Sequence, residues 1–399
     1  MDNLKSNFTK LKEKIFKKKK SSESAVDRMN DIMKLINTIA YIPGLEFEDN
    51  WKKSRRTAFG CLMLATTTSV AIYTLLVTFP AKENLILVGF FAFNALVWGK
   101  TIVVITKHDK FMSVVRYVLT VFKDNKSGPR ERILFGVTKM IHYHLAINFS
   151  SFLAGYLIYS FFPLYDYIYN KKLTLISPLL IPYVNAQQLR GYFITTAFNV
   201  FLGNMCLTVC ICVSSLFFAL VDSYDGLVSL VEHDFGEFDD MCENNENSKA
   251  CDAKMRNTLL ELMDLARLSN SMNGMYNIIA TVQIGMSAVV ILGSLAAILA
   301  VGYINCIGAT LAFYTEMLVY CYIGQLLDTT NIRITHVICN AKWYNYAVKY
   351  QKDMMFALYL SQNLKPILLF NVFPLNFATS LMITNKIYTA FMFMLEFFD

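Results

Sequence analysis

Glu316 is the residue in this sequence most in need of a physical explanation. It lies inside the apolar run Cys306 to Leu327, where an ionised carboxylate is costly unless it is paired or wet. A structural hydrogen bond is the ordinary reading of such a group. His142 and His144 are metal ligands by type, but two residues apart on a helix they point about 200° from one another, so the spacing does not favour a shared ion. The nine cysteines, at 61, 206, 210, 212, 242, 251, 306, 321 and 339, contain no CxxC pair and mostly sit in apolar runs. They read as buried thiols rather than as a disulfide or zinc framework. No Ser-His-Asp set, glycine-rich phosphate loop, HExxH or paired-carboxylate arrangement occurs at a supportive spacing. Nothing here calls for an enzyme, a cofactor or a metal. In the last apolar stretch, Ile387, Ala390, Met394 and Phe398 recur three or four residues apart and so share a helical face. That stripe suits helix packing or, around a shared axis, a gate that blocks ions by dewetting. Glu396 and Asp399 beyond it would concentrate cations at a pore mouth or stand as solvated end charges. Lys386 should snorkel or face water.

The elements that position these residues must be membrane-spanning helices. Of the 399 residues, 55% are hydrophobic and only 17% charged, with mean hydropathy +0.40, whereas soluble domains carry about a quarter charged residues. Runs long enough to cross about 30 Å of hydrocarbon extend from Thr57 to Phe79, Asn84 to Ile105, Ile141 to Phe161, Tyr192 to Ala219, Asn277 to Tyr303, Cys306 to Leu327 and Phe377 to Phe398. Residues 1–56 carry 14 Lys or Arg, 106–132 carry 7, 221–273 carry 4 and 328–365 carry 5, while the alternate segments hold only Lys82, Lys171, Lys172 and Arg190. Basic segments stay on the cytoplasmic side. The expected fold is therefore an all-α membrane protein of seven transmembrane helices, amino terminus cytoplasmic and carboxyl terminus extracellular. A G-protein-coupled receptor has the opposite orientation, and its Asp-Arg-Tyr and Asn-Pro-x-x-Tyr landmarks are absent.

Four regions follow: a cytoplasmic amino-terminal region over 1–56, a six-helix transmembrane region with cytoplasmic extensions over 57–327, a cytoplasmic region over 328–376, and a last helix over 377–399. The start of the chain, with Lys17 to Lys20, has no secretory-signal pattern. Ile32 to Leu45 reads either as an interfacial segment or as a solvated helix. The outer segment Phe162 to Arg190, with Pro163, Pro178 and Pro182, is apolar enough to fold over a cavity. The inner segment Val221 to Asn273 reads as two long helices around an acidic turn near Glu237 to Asn247.

From Leu326 onward the order is distinctive: Ala341-Lys342-Trp343-Tyr344, an amphipathic stretch to Leu360, Lys365-Pro366, Phe373-Pro374-Leu375 and a last helix ending almost at the chain terminus. This carboxyl-terminal pattern resembles the signature of insect odorant receptors, and length, topology and loop sizes agree over nearly the whole chain. There are departures. Phe370-Asn371 stands where many members have Ala-Gly, and Ala390-Phe391 where many have Ser-Tyr. Thr389 to Phe397 half-matches the ending of the related insect gustatory receptors, which remains the alternative reading within the same fold. A solute transporter is the alternative from another class.

The resemblance implies a ligand-gated, non-selective cation channel of four subunits in the plasma membrane of sensory neurons. This chain would be the odour-tuning subunit of a heterotetramer with the odorant receptor co-receptor, surrounded by membrane lipid, binding a small volatile organic ligand and no nucleic acid. The family pocket lies in the outer half between spans two, three, four and six, which by topology points to Phe90, Phe91, Ser151, Gly155, Tyr159, Thr196, Val200, Phe313 and Tyr314. The last helix would line the pore, with Ile387, Ala390, Met394 and Phe398 as its gate stripe. Trp343, Tyr344, Tyr346, Tyr350 and Met354 fall near one stripe of the cytoplasmic helix and suit a subunit interface, packing against the chain's own inner helices being the plain alternative.

Overall fold

The computed structural model describes residues 24–47, 55–78, 84–169, 171, 173–185, 187–244 and 248–398. The basic cluster Lys17 to Lys20, the side chain of Phe398 and Asp399 lie outside what is described. The described residues form α1 (Ala25–Tyr41), α2 (Arg55–Thr78), α3 (Asn84–Thr106), α4 (His108–Asp124), α5 (Pro129–Tyr169), α6 (Leu189–Glu243), α7 (Ser248–Val301), α8 (Cys306–Asn340), α9 (Val348–Gln362) and α10 (Phe377–Phe398). Six of these, α2, α3, α5, α6, α7 and α8, are long and apolar enough to cross a membrane. α10 has 22 residues, a spanning length, but Asn385 and Lys386 at its middle lower its hydropathy.

The lengths of α6 and α7 set the architecture. At about 1.5 Å per residue their 55 and 54 residues give rods of roughly 80 Å, well beyond the roughly 30 Å of hydrocarbon. Their ends furthest from the cavity described below pack with α1, α4, the start of α5, the end of α8 and α9 into a polar-surfaced bundle. The acidic stretch expected as a turn is mostly the last turns of α6, and the chain reverses between Glu243 and Ser248. α6 is the hub, buried on nearly every face from Val209 to Val231.

α1 settles the reading of its segment. Ser24 caps it, accepting from the Asp27 amide at 3.2 Å, and Met29, Ile32, Met33, Ile36 and Ala40 form one buried stripe at helical spacing. That stripe packs on α4, α5 and α6, so the segment holds a helix docked on this bundle. The chain then turns at Gly44 (φ +73°), where a Cβ would sit 2.5 Å from the Arg56 backbone; only glycine allows both the angle and the approach.

Charge networks tie the inner bundle. Arg130 bonds Asp234 at 2.6 Å and Glu261 at 2.8 and 3.0 Å, and Lys254 bonds Asp234 at 2.8 Å and Glu237 at 2.5 Å. Burial alone would lower the Arg130 pKa, but the carboxylates of Glu261 and Asp234 outweigh it and hold the guanidinium more firmly charged. Between α9 and α10 a two-residue hairpin pairs Leu368 with Pro374 and Leu369 with Phe373. Its tip is Phe370-Asn371, both at positive φ (52° and 58°), the backbone demanded by a tight hairpin turn. The Phe370 amide is held by Thr281 Oγ1 at 3.0 Å.

Candidate ligand cavity

Near the ends of the bundle where α3, α6 and α8 begin, the helices diverge around a cavity of about 170 Å³. Its walls come from α3 (Phe90, Phe93, Asn94), α5 (Phe152, Gly155, Tyr159), α6 (Asn199, Val200, Leu202) and α8 (Gly308, Ala312, Phe313, Glu316), with Thr67 of α2 and Val290 and Ser294 of α7. Small residues let α5 and α8 meet closely beside it: a Cβ on Gly308 would lie 2.6 Å from the Tyr159 amide nitrogen, and one on Gly155 would lie 2.5 Å from the Ala312 methyl.

Residues Ile176, Ser177 and Leu179 of the outer segment cover one side of the cavity. Polar side chains of the helices hold that segment by its backbone. Asn199 Nδ2 donates to the Leu179 carbonyl at 3.1 Å, Tyr303 donates to the Leu175 carbonyl at 2.7 Å, and Thr74 Oγ1 accepts from the Leu180 amide at 2.9 Å. The apolar lid expected from the sequence is thus a strapped wall.

The opposite end of the cavity is polar. Glu316 Oε1 accepts from Lys100 Nζ at 3.1 Å and from Ser214 Oγ at 3.4 Å. The two charged side chains are 0% and 2% exposed, and the Lys100 ammonium also stands 5.1 Å over the Tyr320 ring. A buried carboxylate is tolerable only with such a partner. Asn94 also borders the cavity; its Oδ1 accepts from Thr68 at 3.1 Å, while its Nδ2 has no partner among the described residues.

Five of the nine residues expected at the pocket, Phe90, Gly155, Tyr159, Val200 and Phe313, border the cavity, and four do not. Phe91 packs with Ala71, Leu87 and Leu179, Ser151 faces Thr315, Thr196 has its hydroxyl buried without a partner among the described residues, and Tyr314 packs against the main core. One residue of helical phase separates such pairs, and the sequence does not fix phase that finely. The two histidines part as their spacing requires: His142 Nδ1 meets the Thr138 carbonyl at 2.8 Å, whereas His144 bonds Asp222 at 2.8 Å and Tyr322 at 3.2 Å. His233, Asp234 and Glu237 converge closely enough for a metal, but Lys254 and Arg130 already occupy those carboxylates.

The last helix and the anchoring helix are turned differently from the sequence expectation. Ile387 is buried against the chain's own helices and Ala390 and Met394 are half-buried. α10 instead leaves open an arc carrying Asn385, Thr389, Met392, Phe393 and Glu396. Ile387 therefore packs within the chain, whereas Ala390 and Met394 stay partly open. Tyr346, Tyr350 and Met354 are likewise buried within the chain. Phe238 of α6 meets the Tyr346 and Tyr350 rings edge-on at 4.9 and 5.2 Å, Tyr346 donates to Asp239, and Tyr350 donates to Asp252 at 2.8 Å. Only Trp343 and Tyr344 of the five expected interface residues are exposed.

Residues 83–388 match the family model described as 7tm Odorant receptor. The chain belongs to the odorant receptor family. No curated protein matches by sequence. Among solved structures, the insect olfactory receptor OR5 from Machilis hrabei in complex with eugenol is similar in fold, with TM-score 0.75 at 10% identity over 93% of this chain and 99% of that one. The same receptor described without a ligand in its name gives 0.74 at 12% identity with the same coverage. This odorant receptor is therefore a multi-pass membrane receptor and not an enzyme. What the sequence reading missed in the cavity is polar: Asn94 and Asn199 each lie ten residues into their helices, α3 and α6, as Glu316 does in α8. Matched depth of polar residues in apolar spans was the available signal.

Proposed function

We propose that this odorant receptor is the odour-tuning subunit of a ligand-gated, non-selective cation channel. A small volatile ligand occupies the cavity and favours a state in which the last helices of four subunits separate. One observation carries the channel reading. The open arc of α10 is centred on Asn385, Thr389 and Glu396, groups that lipid disfavours and a water-filled pore accepts. The pore face is accordingly assigned to Asn385, Thr389, Phe393 and Glu396. α10 is then the seventh span, and the distribution of Lys and Arg supports a cytosolic amino terminus and an extracellular carboxyl terminus.

The exposed apolar residues Trp343, Tyr344, Val348, Met355 and Tyr359 form the face that meets neighbouring subunits, the co-receptor among them, in the plasma membrane of sensory neurons. The cavity volume sets the ligand scale, since an apolar cavity of about 150 Å³ accommodates benzene. The test is current recording from cells expressing the chain with and without the co-receptor under a volatile panel that includes eugenol, the ligand of the Machilis hrabei complex. Odour-evoked cation current that needs both subunits supports the proposal. Saturable uptake without current, or a carboxyl terminus accessible only after permeabilisation, overturns it.

A further inference from the structure

The polar end of the cavity is built with more care than an apolar ligand needs. Membrane-buried charge is costly, yet Lys100 and Glu316 are kept fully buried at its edge, and only Glu316 of the two borders the cavity. Lys100 and Ser214 both donate to the same carboxylate oxygen, Oε1. Asn94, 5% exposed and in the wall of the same cavity, has an Nδ2 donor without a partner among the described residues, the kind of group that carries a desolvation penalty until something pairs with it. An acceptor and an unspent donor therefore face one small space.

Resting on the assignment of this cavity as the ligand site, we infer that it selects neutral ligands bearing a hydroxyl group, alcohols or phenols, whose O–H donates to Glu316 Oε2 while its oxygen accepts from Asn94 Nδ2. Charge excludes the other classes. Lys100 already neutralises Glu316, so an amine cation would bring a net charge into a low-dielectric site, and a carboxylate ligand would face Glu316 directly. Ketones, aldehydes, esters and ethers have no proton to give Glu316, and hydrocarbons leave Asn94 unpaired. One bond to an ionised acceptor, which the ether cannot make, distinguishes a hydroxyl from its methyl ether by about 10-fold or more in potency.

The experiment uses the full chain, recorded with the subunits that give it an odour response, and matched trios of probes: 4-ethylphenol, 4-ethylanisole and 4-ethyltoluene, with corresponding alcohol, methyl ether and hydrocarbon sets built on benzyl and on straight chains. The hydroxyl member of each active trio is expected to act at a concentration at least about 10-fold below its ether. The charge-neutral double variant K100M/E316L, which leaves no lone buried charge, is expected to lose that preference, the hydroxyl member of each active trio falling to the potency of its ether. Asn94→Leu, which leaves the ion pair intact, is expected to narrow the gap between hydroxyl and hydrocarbon, and surface labelling reports delivery of each variant. Ethers or hydrocarbons equal to hydroxyls in the native chain, responses confined to esters or aldehydes, or an unchanged preference in the double variant each overturn the inference. Failure of the cavity assignment itself reads differently: the cavity-filling change Gly203→Leu would then leave every odour response untouched.

Discussion

Gly308→Ala adds a single methyl group where α8 crosses α5. The new Cβ would stand 2.6 Å from the Tyr159 amide nitrogen and 2.8 Å from its Cα, against the 3.4 Å at which ordinary contact begins. Both neighbours are backbone, so no rotamer change relieves the clash, and the helices must separate locally by the difference, 3.4 − 2.6 = 0.8 Å. Overpacking of this kind costs about 1–3 kcal/mol, offset by roughly 1 kcal/mol from replacing glycine with alanine in a helix. The net effect is a loss of up to about 2 kcal/mol. Function should suffer more than stability, because Tyr159, Gly308 and Ala312 all border the cavity and its wall moves with them. Gly203→Ala is the matched control: it borders the same cavity, and nothing lies within 4 Å of its added Cβ. Melting in detergent and odour concentration–response curves for both variants decide the matter. The prediction is a lower melting temperature and a reordered odour series for Gly308→Ala, and a melting temperature raised by the unopposed helix-propensity gain for Gly203→Ala. A Gly308→Ala receptor that melts and responds like the native one refutes the reasoning that close α5–α8 contact shapes the site.

Lys100→Met alone strands the Glu316 charge and should cost about 3–5 kcal/mol, with much of that recovered in K100M/E316L, as read from surface expression and detergent melting. The Lys349 and Tyr350 hydrogen bonds hold the Asp252 carboxyl below its ordinary value of 3.8. Their contribution to docking α9 is therefore present above that value and lost as pH falls through the depressed one; Trp343 fluorescence in an acid titration should show α9 loosening there, and Asp252→Asn should remove the step. Phe370→Gly relieves a left-handed non-glycine residue and should raise stability by about 1 kcal/mol, measured as a higher melting temperature. Glu396→Gln should reduce the permeability of divalent relative to monovalent cations without moving odour potency, as reversal potentials report.

Long apolar runs made the spanning helices legible, because hydrocarbon thickness fixes a length that sequence displays directly. Cys306 was placed as a helix start to the residue. Facing was harder to read. The Ile387 stripe obeys the same periodicity as the Asn385–Thr389–Glu396 arc, and only the packing of α10 on α7 and α8 decides which looks outward. Tyr346 and Tyr350 suit either another subunit or the chain's own inner helices, and Phe238, more than a hundred residues earlier, takes them both. Lys100 and Glu316 were each visible as charges in apolar runs, but 216 residues separate them and no local pattern joins them.

The unbroken course of α6 has a mechanical meaning. Val200 touches the cavity and Phe238 touches the anchoring aromatics, with no proline or loop between them along roughly 57 Å of rod. A pivot of one degree at one end displaces the other by about 1 Å, so a small tilt at the cavity wall is magnified at the far end of the rod.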